Sequence, residues 1–289
     1  MKNQVQLCTY ADRLGGTLVG LREVLEGPLA GLFGGVHVLP FFEPIDGADA
    51  GFDPIDHTEV DRRLGSWADV AALARVTDVM ADVIVNHISS RSPQFVDFAA
   101  KGDGSEHAGM FLTLAGVFPG GATERELLAI YRPRPGLPFT PLTLADGSRR
   151  LLWTTFTPDQ IDIDVRHARS CAYLDGILEV LAAHGVTTAR LDAVGYAIKK
   201  AGTSCFMLGE TLEFIRSFAG RAGQRGLEVL VEVHSHYEQQ IEIASHVDRV
   251  YDFALPPLVL HAFFSGTVRY LRHWIEIRPR NAVTVLDTH

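Results

Sequence analysis

Short apolar runs recur along the 289 residues, and several of them end in polar side chains. The runs are VQLCTY (5–10), GVHVLP (35–40), VMADVIVNH (79–87), VTTARLDAV (186–194), LEVLVEVHS (227–235), RVYDFALP (249–256) and AVTVLDTH (282–289). Their interiors are Val, Leu and Ile with little alternation, the pattern of parallel strands covered on both faces. Helical periodicity lies between them. In RSCAYLDGILEVLAAHG (169–185), Leu174, Ile177, Leu178 and Leu181 fall at i, i+3, i+4 and i+7, which predicts one apolar face, and Gly185 is placed to end the helix. A second helix is predicted over 65–76, where Ser66 precedes Asp69 by three residues as in a capping box, and a third over 209–223. Strands alternating with helices imply βαβ units.

Seven such strands predict an α/β fold, a (β/α)8 TIM barrel that is incomplete, with about seven strands; a full barrel takes about 250 residues. One connection is too long. His87 and Arg190 are separated by far more than the ~30 residues of a βαβ step. The expected organisation is a barrel built from 1–88 and 166–289, with an inserted lobe over 89–165 after strand three. YRPRPGLPFTP (131–141) has the Gly and Pro content of a loop-based lobe.

Composition narrows the partners. The formal net charge is −9 and no basic cluster occurs, which argues against nucleic acid and against an anionic membrane surface. No run of about 18 apolar residues predicts a membrane span, and MKNQVQLCTYADRLGG lacks the apolar core of a signal peptide. Cys8, Cys171 and Cys205 are scattered, with no CxxC, so neither a disulfide framework nor a zinc knuckle is suggested. A reducing cytoplasm is the simplest location. DVIVNH has no second histidine at helical spacing, so no metal and no cofactor is expected.

Barrels of this kind place their chemistry at the C-terminal strand ends. Those ends carry Asn86 and His87, Arg190 and Asp192, Glu232 and His234, Asp252, and Asp287 and His289. Taken singly, each is equally a residue holding a loop or a water; barrel closure would point them all at one spot. Arg190 and Asp192 share a strand face, and a neighbouring guanidinium predicts an ionised Asp192. Glu232, between Val231 and Val233, is expected to hold its proton. Two carboxyls tuned apart are the signature of glycoside chemistry. The plain alternative is a structural Arg–Asp pair and an unrelated glutamate.

GFDPIDHTEVDRRLGS (51–66), DVIVNH (82–87), ARLDAVGY (189–196) and LVEVHS (230–235) resemble, in order, the motifs of the α-amylase superfamily, glycoside hydrolase family 13. YADRLGGTL, PFFEPIDGADAGFDPIDH, YRPRPGLPF, AGTSCFM, YDFALPPL and RPRNAVTVLDTH are similar to its sucrose phosphorylase subfamily, and the resemblance runs from residue 2 to residue 289. It implies Asp192 as nucleophile and Glu232 as general acid/base. Asp49, His87, Arg190 and His289 would hold glucosyl hydroxyls or orient the nucleophile. Phe52 and Phe156 would wall the sugar pocket, Gln160 and His234 would lie near the acceptor, and Arg134 is the candidate for meeting phosphate with its planar fork of donors. The plain alternatives are core aromatics, a loop hydrogen-bonder and a solvated arginine.

The implied reaction is retaining transfer of glucose from sucrose to inorganic phosphate, giving α-glucose 1-phosphate and fructose through a glucosyl-Asp intermediate. No cofactor, nucleic acid or membrane is implied, and a homodimer is the expected assembly. Two other readings stay open: a related phosphorylase or transglucosidase whose acceptor side takes sucrose 6-phosphate or glucosylglycerol, and an inactive sugar-binding fragment. In the subfamily a stabilising carboxylate follows the histidine of LDTH directly, and this sequence stops at His289. The expectation is therefore a C-terminally truncated barrel, without strand eight or the C-terminal domain, and with little or no activity of its own.

Overall fold

The computed structural model describes residues 1–47 and 49–285. One parallel sheet organises it. Its strands are β1 (Gln6–Thr9), β2 (Gly35–Val38), β3 (Asp78–Ile84), β4 (Thr188–Asp192), β5 (Glu228–Val231), β6 (Arg249–Asp252) and β7 (Ala282–Thr284), each hydrogen-bonded to the next in chain order. This is an incomplete (β/α) barrel. Among the described residues β1 and β7 are its two edges. The strand interiors are dry: Val36, Val79, Ala81, Val83, Ala189, Leu191 and Val229 are all buried. Burying a side chain of this class stabilises by about 1.5–3 kcal/mol.

The helices follow the predicted periodicity. The helix Ala168–Ala183 buries Leu174, Ile177, Leu178 and Leu181, the four positions of the apolar face. Gly185 then adopts φ +80°, a left-handed conformation that glycine reaches without strain. The helix Trp67–Ala74 begins after Ser66, whose backbone N–H donates to Asp69 Oδ2 at 2.9 Å. The third predicted helix is Gly209–Gln224.

The strands are shorter than the apolar runs suggested, and the difference matters for the site. At the end of β3 the chain leaves the sheet, and His87–Ser89 pairs antiparallel with Gln160–Asp162, His87 opposite Asp162. The polar tip of the third run is thereby tied to the long excursion that precedes β4. That excursion contains the helix Pro93–Lys101 and a hairpin, Phe139–Thr143 with Arg149–Trp153. Leu112, Phe118, Ile130 and Trp153 form a small apolar cluster there with Cys205, which comes from the loop after β4. The Tyr131 N–H also donates to the Ser204 carbonyl at 2.8 Å. The excursion and the β4 loop are thus packed as one wall.

Candidate active site

Arg190 organises the floor of the site. It sits on β4, flanked in register by Asp82 on β3, and the chain just beyond β5 delivers Glu232. Its side chain is only 1% exposed. One guanidinium nitrogen meets both Asp82 Oδ1 and, at 3.1 Å, Asp192 Oδ1. The other lies 2.6 Å from Glu232 Oε2. Asp192 and Glu232 keep 14% and 15% of their side-chain surface exposed. That surface faces a cavity of about 320 Å³, within the usual range of small-molecule sites.

The two carboxyls act on each other, so between them they hold one proton and titrate as a unit. Burial, opposed by Arg190 and reinforced by the charge of Glu232, pushes Asp192 up to about 8. Burial also acts to raise Glu232, but the neighbouring His234 and the charge of Arg190 outweigh it and hold Glu232 below the usual carboxylate range. This reverses the expectation of an ionised Asp192 beside a protonated Glu232. Arg190 is not the private partner of Asp192: it is shared among three carboxyls, and its charge lowers both Asp192 and Glu232.

The cavity gathers most of the residues singled out in the sequence. Asp49, Phe52, His87, Arg134, Phe156, Asp192, Glu232 and His234 all line it. His87 is buried, and burial holds its imidazole below the ordinary value, hence neutral. Its Nε2 donates to the Phe52 carbonyl at 3.0 Å, so its Nδ1 is the acceptor for Asn86 Nδ2 at 3.4 Å. Asn86 is fixed in turn by Lys199, whose Nζ donates to its Oδ1 at 2.9 Å. His234 is 69% exposed, stacks on Phe253 with centroids 3.9 Å apart, and places Nε2 3.8 Å from Glu232 Oε1. Phe52 lies beneath the Arg190 guanidinium, 5.7 Å from ring centroid to Cζ, a cation–π contact that helps fix the arginine.

Gln160 and Arg190 do not line the cavity; they stand behind it. Gln160 is buried and donates to Asp49 Oδ2 at 3.0 Å, so it orients Asp49. Asp252, another strand-end acid, is buried elsewhere, accepting from Trp274 Nε1 at 2.8 Å and from Arg278 at 3.1 Å. Asp287 and His289 lie outside the described residues.

Sequence reasoning missed part of the wall. Tyr196 and Phe206 line the cavity and pack on each other with centroids 4.8 Å apart; Phe156 packs edge-on against Tyr196 at 5.2 Å. The backbone is specialised here. Ala193, directly after Asp192, has φ +54°, a left-handed conformation that strains a non-glycine residue and turns the chain sharply. A Cβ on Gly195 would lie 2.7 Å from Phe206 Cε2, so glycine is what lets the ring approach. Among the described residues no group of three or more His, Cys, Asp or Glu is arranged to hold a metal ion.

A buried cation clamped between two adjustable carboxyls, at the floor of an aromatic-walled pocket, suits a covalent displacement at a sugar carbon. No protein-family model matches the chain. It is 63% identical to a sucrose phosphorylase of Agrobacterium vitis, over 100% of this chain and 59% of that protein. It is 58% identical to a sucrose phosphorylase of Bifidobacterium adolescentis, over 100% of this chain and 57% of that protein. The crystal structure of sucrose 6F-phosphate phosphorylase from Thermoanaerobacter thermosaccharolyticum superimposes with a TM-score of 0.94 at 40% identity, covering 100% of this chain and 60% of that one. The chain thus spans somewhat under two thirds of the length of each of these three proteins.

Proposed function

We propose, from the premise that this chain belongs to the sucrose phosphorylase family of α-amylase-type barrels, that its cavity carries retaining transfer of glucose from sucrose to inorganic phosphate, with fructose and α-glucose 1-phosphate as products. Glu232 protonates the fructosyl oxygen while Asp192 attacks the anomeric carbon from the opposite face. Fructose leaves and a glucosyl ester forms on Asp192. Phosphate then attacks the same carbon, Glu232 takes up its proton, and the Asp192 carboxylate departs, so the configuration is retained overall.

The observation that carries this reading is the single guanidinium in contact with both carboxyls. It supports the close spacing of a retaining pair, about 5–5.5 Å, over the 6.5–9.5 Å that leaves room for a water in inverting enzymes. The mechanism needs the proton to pass from Asp192 to Glu232. It does so as the sugar enters, after which Glu232 faces the leaving oxygen and Arg190 stays with the Asp192 carboxylate.

Residues 89–165 are read as an inserted lobe that supplies Arg134 and Phe156 to the cavity wall. Arg134 is proposed to hold phosphate, since its fork of donors matches two phosphate oxygens. Asp49 and His87 are proposed to hold glucosyl hydroxyls, with Gln160 setting the position of Asp49. The resemblance in fold to a sucrose 6F-phosphate phosphorylase supports a second reading in which the acceptor side takes a phosphorylated fructosyl group. The higher identities to two sucrose phosphorylases favour plain sucrose. No helix among the described residues is long and apolar enough to cross a membrane; the cytoplasm is the proposed location. A homodimer is the proposed assembly, to be read by light scattering.

The test is phosphorolysis. Sucrose or sucrose 6-phosphate is supplied with phosphate, and glucose 1-phosphate is measured. The protein is the 289-residue chain, alone and joined to the remaining C-terminal portion of the Agrobacterium vitis relative. Turnover is expected with sucrose in the joined protein and little or none in the 289 residues alone. A preference for sucrose 6-phosphate would install the second reading, and a folded joined protein inert on both donors would refute both.

A further inference from the structure

Below the carboxylate pair, a second layer of polar side chains runs through the interior of β2, β3 and β4, with the exposed Cys8 of the edge strand β1 at its end. Cys8 on β1 is in register with His37 on β2, and Asp82 on β3 is in register with Arg190 on β4. Their side chains join. Cys8 Sγ lies 3.5 Å from His37 Nδ1, His37 Nε2 lies 3.0 Å from Asp82 Oδ2, and the other Asp82 oxygen takes the Arg190 guanidinium. His37 and Asp82 are 3% and 0% exposed. The reaction described above uses neither of them.

Buried ionic groups are retained only when paired, because desolvation is expensive. Asp82 has two oxygens and two nitrogen partners, Arg190 on one and His37 on the other. Arg190 in turn faces three carboxyls: Asp82, Asp192 and Glu232. With one proton shared between Asp192 and Glu232, Arg190 alone leaves this buried cluster one negative charge in excess. A positive His37 restores neutrality. Among the described residues, other titratable groups acting on the layer include Tyr10, after β1, and Tyr251 on β6, whose phenols burial raises, and His57, whose imidazole burial lowers; all three are neutral.

We propose that His37 is a positioning residue of the site, acting through Asp82 by charge, and not by packing alone, to hold the Arg190 guanidinium between Asp192 and Glu232. Burial acts to lower the His37 imidazole, but Asp82 overcomes it and lifts the ring to about 9. As an imidazolium the ring donates through Nε2 to Asp82 and through Nδ1 toward Cys8. Without that charge Asp82 would draw more fully on Arg190, and the carboxyl pair above would grip its shared proton more tightly. This rests on the proposed function only in taking Asp192 and Glu232 as the reacting pair.

Two spectroscopic readouts on the chain as it exists test it. Nitrogen NMR of the histidine rings is expected to find both His37 nitrogens protonated at pH 7, with titration near 9; a neutral His37 ring at pH 7 would overturn the proposal. The variant His37→Gln keeps a donor toward Asp82 and removes the charge. Side-chain carbon NMR of its Asp192 and Glu232 is expected to show their shared titration raised by about one pH unit, the scale of one nearby opposite charge. An unchanged titration in the folded variant would reduce His37 to a structural hydrogen bond. Should the variant not fold, the ring spectrum of the unaltered chain decides alone. Neither readout requires a sugar, so a chain that holds no sucrose would refute the proposed function and leave this inference standing.

Discussion

Replacing Asp192 with asparagine should stabilise the folded chain, and by more as the pH rises. Asp192 stands at about 8 in the folded protein against an ordinary 3.8. The folded state therefore binds this proton more tightly than the unfolded state does. Between pH 4 and pH 8 the unfolded chain carries fewer protons, so stability falls as pH rises through that window, and the whole penalty is present above pH 8. A full proton corresponds to ~1.4 kcal/mol per pH unit, or ~4 kcal/mol between pH 5 and pH 8. Glu232 is held below its ordinary value, is ionised throughout that interval, and adds no slope. The side chain keeps 14% of its surface exposed and shares its proton with Glu232, both of which soften the effect; about 2 kcal/mol is the expected net change. Asparagine has the same shape and cannot ionise. Urea unfolding followed by tryptophan fluorescence, at pH 5 and at pH 8, should show the Asp192→Asn advantage growing by about that amount. Parallel pH dependences in the two proteins would refute the reasoning, because Asp192 would then not be a buried carboxyl held against its ionisation. The same substitution removes the proposed nucleophile, so stability and activity move in opposite directions.

Two further substitutions probe the scaffold of the site. Arg190→Lys leaves one ammonium where a planar fork spans Asp82, Asp192 and Glu232; a loss of about 3 kcal/mol is expected from a poorly paired buried cluster, read as a lower urea midpoint. Gly195→Ala places a Cβ 2.7 Å from Phe206 Cε2 and pushes the ring into the cavity. Overpacking of this kind is worth about 1–3 kcal/mol, so sucrose affinity measured by calorimetry should weaken about tenfold or more with the far-UV circular dichroism unchanged.

The strand cores and the helix at 168–183 were legible because their determinants are local. A strand buried on both faces must be apolar throughout, and a helix packed on one side must repeat at 3.6. Asp192 and Glu232 stood out as charges at the ends of such runs. What depended on distant partners was not legible. Asn86 and His87 were read as strand, but β3 stops at Ile84 and His87 turns off to pair with Asp162, and nothing near residue 87 announces a partner some seventy positions later. The order of protonation was misjudged for a related reason. Arg190 and Asp192 were read as a strand-face pair, whereas the guanidinium spans β3 to β5 and serves three carboxyls. Phe206 reaches the cavity because Cys205 and Met207 adopt φ +53° and +48°; neither residue is one that favours that conformation, so its identity gave no warning. Asp82 and His37 were in plain view, polar residues inside apolar runs, and a buried charge in such a run is a signal worth following.

The central claim is that Asp192 becomes the site of a covalent glucosyl ester. It is tested most directly by peptide mass mapping after an acid quench, using the joined protein with Glu232→Gln exposed to α-glucosyl fluoride, a donor whose leaving group needs no protonation. The account predicts the mass of one anhydroglucose on the peptide containing Asp192, lost when Asp192 is also replaced by asparagine. An adduct on any other residue, or glucose released by the folded protein with no adduct and with inverted configuration, would contradict it.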